Sequence, residues 1–125
     1  MSNSLSRFKV KFIIEGVGEA EGELNRIHAP RTVEALRDAL PISGRANIWK
    51  EKEVYFTVGI KKGLEKPTKK VEKGTLAYWP VGDALCIFFE ELEPYSEVNI
   101  VGKITSNLEI FGKVRRGNRI EIRLA

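Results

Sequence analysis

The sequence predicts a mainly β protein, a closed barrel of about eight strands with one or two short helices, and three observations carry that expectation. Segments in which apolar and charged residues alternate at period two recur along the chain, the pattern of half-buried strands. Two segments of the second half, Thr75–Trp79 and Ala84–Phe89, are apolar on both faces, as strands enclosed in a barrel are. One stretch alone, residues 31–40, changes to a helical period. A chain of 125 residues has room for one hydrophobic core. We therefore assign one domain to residues 7–125, preceded by a polar stretch, residues 1–6, expected to be a flexible terminus.

Taken in order, Arg7–Ile14 alternates basic and apolar residues, Glu15–Gly18 supplies turn glycines, and Glu19–Arg26 returns as the second arm of a hairpin. After Pro30, Val33, Leu36 and Leu40 with Ala35 and Ala39 share one helical face, while Arg31, Glu34, Arg37 and Asp38 take the other. Thr32 is placed to help cap the helix start and Pro41 to stop it. Ile42–Trp49 and Glu53–Ile60 read as two strands joined by a tight charged turn at Lys50–Lys52. A lysine-rich segment, residues 61–73, follows, with six lysines against two glutamates, and reads as a solvated connection. Pro80–Asp83 is the turn between the two apolar strands, and Asp83 is suited to bond its own backbone there. Val98–Thr105 and a strand beginning at Phe111–Val114 and continuing past the turn Arg115–Asn118 into Arg119–Leu124 complete the set.

Composition removes several classes of function. A single Cys86 excludes an intramolecular disulfide, and with the lone His28 it leaves too few soft ligands for structural zinc, so neither metal nor cofactor is expected. The start of the chain has no secretory pattern and no apolar segment is long enough for a membrane span, so a soluble, cytoplasmic protein without membrane contact is expected. The net charge of +4 is mild, and interleaved Lys and Glu give the surface a pattern common in thermophilic proteins. His28 sits in a loop before the helix with no accompanying nucleophile motif and reads as a surface residue, whereas Cys86, inside an apolar run, reads as a small buried hydrophobe. Glu90, Glu91 and Glu93 read as a solvated strand end.

Three segments in order resemble cyclophilins: Pro30–Arg37 the first helix, Gly74–Gly82 the central strand and turn, and Phe111–Gly117 the penultimate strand. Ala77–Phe89, with Val101–Gly102 downstream, is similar to the signature of short microbial cyclophilin-like proteins of uncharacterised function. The resemblance implies an eight-stranded cyclophilin-like barrel with a groove on its side. It does not extend to the isomerase residues. Where cyclophilins carry an arginine in a Phe-His-Arg motif, this chain has Ile48-Trp49-Lys50, and a lysine cannot reproduce a planar guanidinium fork. The Phe-Met-x-Gln stretch is replaced by Glu53–Phe56, and the histidine-bearing lid has no counterpart in Leu92–Glu97. No catalytic residue is assigned.

The candidate groove residues are Trp49, Tyr55, Tyr78, Trp79 and Pro80, because large amphipathic rings bury much area with few rotatable bonds. Tyr78 and Trp79 are adjacent in a strand and must point to opposite sides, with Trp79 expected outside. The leading function is a non-catalytic module binding a small molecule or a peptide, or the small subunit of an assembly; neither the ligand nor the oligomeric state is specified. A divergent prolyl isomerase is the first alternative. Weak nucleic-acid binding through the 61–73 lysines is the second and is disfavoured by the absence of a recognised motif.

Overall fold

The computed structural model describes residues 6–125. The expected flexible terminus therefore lies outside the described residues except for Ser6, whose carbonyl accepts a hydrogen bond from the Arg26 backbone N–H at 2.8 Å. The elements run β1 (Arg7–Ile14), β2 (Gly18–Asn25), α1 (Pro30–Ala39), β3 (Ile42–Arg45), β4 (Asn47–Trp49), β5 (Glu53–Thr57), β6 (Thr75–Trp79), β7 (Ala84–Phe88), β8 (Asn99–Ser106), a 3-10 helix (Leu108–Lys113) and β9 (Arg119–Leu124).

These strands form one antiparallel sheet in the order β3-β9-β1-β2-β8-β6-β7-β5-β4. Its two edge strands, β3 and β4, are consecutive in the chain, and β3 runs beside β5, so the sheet curls into a nearly closed barrel. The segment read as one strand, Ile42–Trp49, divides at Ala46, and the count rises to nine for that reason. Ala46 bonds the turn before β9 instead of a strand: its N–H donates to the Asn118 carbonyl and its carbonyl accepts from the Gly117 N–H, both at 2.8 Å.

The alternation in β1 does what period two requires. Val10, Phe12 and Ile14 point inward and are fully buried with Leu24, Phe56, Leu76, Leu85, Ile87, Val101, Ile120 and Ile122. Val33 and Leu36 of α1 join this core, and Phe111 packs edge-on against Phe12 with ring centroids 5.8 Å apart. Phe111 stands in the 3-10 helix, so the strand expected over Phe111–Val114 is corrected; β9 begins only at Arg119. β6 and β7 are buried on both faces as expected, because a second cluster of Ala77, Cys86, Phe88 and Val98 covers their outer side, joined by Tyr55, Val71, Trp79 and Leu92.

The start of α1 is capped from a distance. Ala29 occupies the cap position and makes no side-chain cap bond. The carboxylate of Glu65 instead accepts from the backbone N–H groups of Arg31 (3.0 Å) and Thr32 (2.9 Å) and from the Thr32 hydroxyl (2.9 Å). Asn99, fully buried, holds that arrangement: its amide donates to the Thr32 hydroxyl and the Gly63 carbonyl, and its oxygen accepts from the Glu65 N–H. The lysine-rich segment is thus solvated at its lysines, yet fastened to the helix and to β8 at residues 63 and 65.

A direct consequence is measurable. Glu65→Ala should cost about 1–2 kcal/mol in urea unfolding, the usual range for a lost helix cap. Partial burial pushes the Glu65 carboxyl up, but the bonds from Arg31 and Thr32 and the Arg31 charge outweigh it and hold the group below its ordinary value. A carboxyl lowered by folding contributes stability above its unfolded pKa, about 4.3, and loses it as the pH falls through the lower folded value. The gap between the two proteins should therefore close in that acid range. A gap that is independent of pH would show that the charge of Glu65 plays no part.

Candidate functional site

The outer face of β5, β7 and β6 carries the candidate site. Antiparallel register aligns Glu53 with Phe88, Tyr55 with Cys86, Ala77 with Cys86, and Trp79 with Ala84. Because side chains alternate, Glu53 and Tyr55 stand on the side of the sheet that Trp79 and Cys86 also occupy. Trp49 of β4 faces Glu53 across the hairpin, whose turn is set by Lys50 and Glu51, both in the left-handed region, with the Lys52 N–H donating to the Trp49 carbonyl at 3.1 Å. The tight charged turn is therefore present where the sequence placed it.

Over this face lies the irregular segment between β7 and β8. Pro94, Tyr95, Ser96 and Val98 from it close a cleft of about 340 Å³ against Trp49, Glu53, Tyr55, Trp79, Val81 and Cys86. The rings adjoin at right angles. Trp49 and Tyr95 have centroids 5.9 Å apart at 90°, Trp79 and Tyr95 6.1 Å at 80°, and Tyr55 and Trp79 5.9 Å at 87°. The Trp79 indole N–H donates to the Ser96 hydroxyl at 2.6 Å, which fixes the ring and ties the covering segment to the barrel. Gly82 faces the other side of this indole so closely that a methyl group there would overlap the six-membered ring.

Two titratable groups lie at the base of the cleft. Glu53 is 6% exposed, and burial pushes its carboxyl up, partly offset by a hydrogen bond with the Cys86 thiol. Burial, together with the neighbouring Glu53, pushes the thiol of Cys86 well up, so it is an uncharged, unreactive group, in keeping with its reading as a small hydrophobe. Among the described residues no group of three or more His, Cys, Asp or Glu side chains is placed to hold a metal. Among the described residues no helix is long and apolar enough to cross a membrane.

Of the five candidate residues, Trp49, Tyr55 and Trp79 come together on this cleft. Tyr78 does not. It points into the barrel, fully buried, where its hydroxyl donates to Asp83 at 2.7 Å and accepts from the Lys62 N–H; burial and Asp83 push it up to about 12. Pro80 stands in the β6–β7 turn and does not line the cleft. Asp83 also departs from expectation, since its carboxylate accepts from the backbone N–H groups of Ile60 (3.1 Å) and Lys61 (2.9 Å) across the fold, not from its own turn. His28 is exposed, as are Glu90, Glu91 and Glu93.

The profile of the cyclophilin-like family matches residues 8–123, nearly the whole chain. The chain belongs to the cyclophilin-like family. The solution structure of a hypothetical protein from Archaeoglobus fulgidus resembles this cyclophilin-like barrel with a TM-score of 0.82 at 34% identity, covering 96% of each chain. McbB, solved in complex with tryptophan, matches at a TM-score of 0.78 and 14% identity, over 92% of this chain and 44% of McbB, a likeness of fold alone. A search of curated proteins finds no match.

Within this cyclophilin-like chain, the cleft residues that the sequence did not reveal include Glu53, Tyr95 and Ser96. Glu53 carried a usable signal, since it is two residues from Tyr55 on one strand and must share its face. Tyr95 and Ser96 carried none, because their segment has no periodicity from which to infer a direction.

Proposed function

We propose that the protein is a non-catalytic binding module whose outer-face cleft takes a small ligand or a short peptide segment. The supporting observation is the meeting of Trp49, Tyr55, Trp79 and Tyr95, from three strands and a covering segment, around one cleft. Ligand sites are typically concave and mostly apolar, with a few convergent polar groups, and this cleft has that make-up in Glu53 and Ser96. The absence of catalysis follows from what stabilises a twisted prolyl amide: donors aimed at the transition state in a dry site. Lys50 stands where the resemblance places the isomerase arginine, and its ammonium lies over the Trp49 ring, 4.7 Å from the centroid. The Trp79 indole N–H is already committed to Ser96.

A thermal-shift screen of small organic compounds tests the binding reading, because a ligand of the native state at a hundredfold excess over its Kd adds about 2.7 kcal/mol of stability. At least one compound should raise the melting temperature of the intact protein, and a broad library without a single shift would count against the proposal. In a protease-coupled peptide assay the protein should leave prolyl isomerisation at its uncatalysed rate; robust acceleration would restore the isomerase reading.

A further inference from the structure

The chemistry of the cleft also bears on the kind of ligand it accepts. Apart from Glu53, the lining is Trp49, Tyr55, Trp79 and Tyr95 with small apolar groups, Ser96 and the uncharged thiol of Cys86. Among the described residues no lysine, arginine or histidine lines it. An anionic ligand would therefore meet a carboxylate and no countercharge. A neutral ligand would leave the buried Glu53 carboxyl without an ionic partner, whereas a cation would supply one.

The rings add a second, independent indication. An aromatic face is negative, and the four rings adjoin at 80–90° instead of stacking in parallel. Parallel rings would suit a flat ligand inserted between them. Rings set edge to face at right angles leave no flat slot between them, so they suit a compact, rounded group, and the group that aromatic faces attract is a cation. Lys50, which is not among the lining residues, shows the attraction on this protein, with its ammonium over the Trp49 ring. Burial raises the Glu53 pKa, and a cation seated beside the carboxyl would act against that shift by favouring its charged form.

We propose that the cleft is an aromatic cage for a small organic cation, an alkylated ammonium head group, with the rings of Trp49, Tyr55, Trp79 and Tyr95 as walls and the carboxylate of Glu53 as countercharge. This rests on the reading of the cleft as the ligand site and narrows it to one chemical class.

The test compares choline with 3,3-dimethyl-1-butanol, which has the same shape with carbon in place of the charged nitrogen, by titration of the intact protein followed through tryptophan fluorescence. Choline should bind at least about tenfold more tightly, the factor that 1.4 kcal/mol of cation attraction gives. Glu53→Gln, which keeps the shape and removes the charge, should narrow that preference, weakening choline more than it weakens the alcohol. Equal affinities for the two compounds in the unmodified protein would overturn the cage while leaving the cleft as a binding site. Failure of choline to bind at tens of millimolar would overturn it too, whereas the broader binding reading stands or falls separately on the compound screen. The comparison within the unmodified protein decides the matter even if Glu53→Gln fails to fold.

Discussion

Gly102→Ala is expected to destabilise the protein by more than about 3 kcal/mol, at the upper end of what overpacking costs and a large share of the 5–15 kcal/mol that holds a domain folded. Gly102 sits in β8 between Leu24 of β2 and Leu76 of β6, in the middle of the sheet. A methyl group there would fall inside the carbonyl group of Glu23 and against the Leu24 Cα. Those are backbone atoms, and no side-chain rotation relieves the overlap; the β2–β8 pairing itself must open. Gly63→Ala is the matched control, because a methyl there meets nothing within 4 Å and its backbone is not left-handed. It should change stability by no more than about 0.5 kcal/mol. Urea unfolding of the two variants beside the unmodified protein checks both figures, and a Gly102→Ala protein of unaltered stability would refute the close approach of β2 and β8.

Trp79→Ala is expected to weaken any ligand of the cleft by at least about 30-fold, the effect of losing an aromatic residue worth about 2 kcal/mol at a binding centre. Trp79 meets both Tyr55 and Tyr95, and its N–H holds Ser96, so the substitution removes one wall and frees the segment that forms another. Trp79→Phe keeps part of the wall but loses the bond to Ser96, and its affinity should fall between. Tyr78→Phe supplies the contrast, since that ring lies in the barrel interior: stability should drop through the lost bond to Asp83 while ligand affinity holds. Equal loss of binding in Tyr78→Phe and Trp79→Ala would mean that affinity follows general stability and not the cleft.

What could be read in advance was whatever repeats. Val10, Phe12 and Ile14 announced an inward face by alternation, and Val33 and Leu36 announced a helix by theirs. The opposite directions of Tyr78 and Trp79 followed from the same geometry. Features that depend on meeting a distant residue were not legible. The capping of α1 by Glu65 joins positions 33 and 34 residues apart, and the free-standing sequence offered Thr32 as a plausible local substitute. Ala46 looks like any strand residue until the Asn118 carbonyl competes for its N–H. Phe111 has the apolar neighbours of a strand, yet the left-handed Asn107 starts a tight 3-10 turn that aims it into the barrel end. For the cleft, three ring residues were named from their chemistry, and the fourth, Tyr95, becomes visible only once its irregular segment is folded across the sheet.

Trp49 and Trp79 are the only two tryptophans of the chain and both line the cleft, so their two indole N–H signals in a proton–nitrogen correlation spectrum report on it directly. The spectrum should be followed while a compound that raises the melting temperature is titrated in. Binding in the cleft predicts that both indole signals move together along the titration, with the backbone signals of Tyr55 and Tyr95 and without those of the 61–73 segment. Saturation of the compound with both indole signals unmoved, and the changes gathered at the lysine-rich segment, would contradict the cleft as the site where this protein meets its ligand.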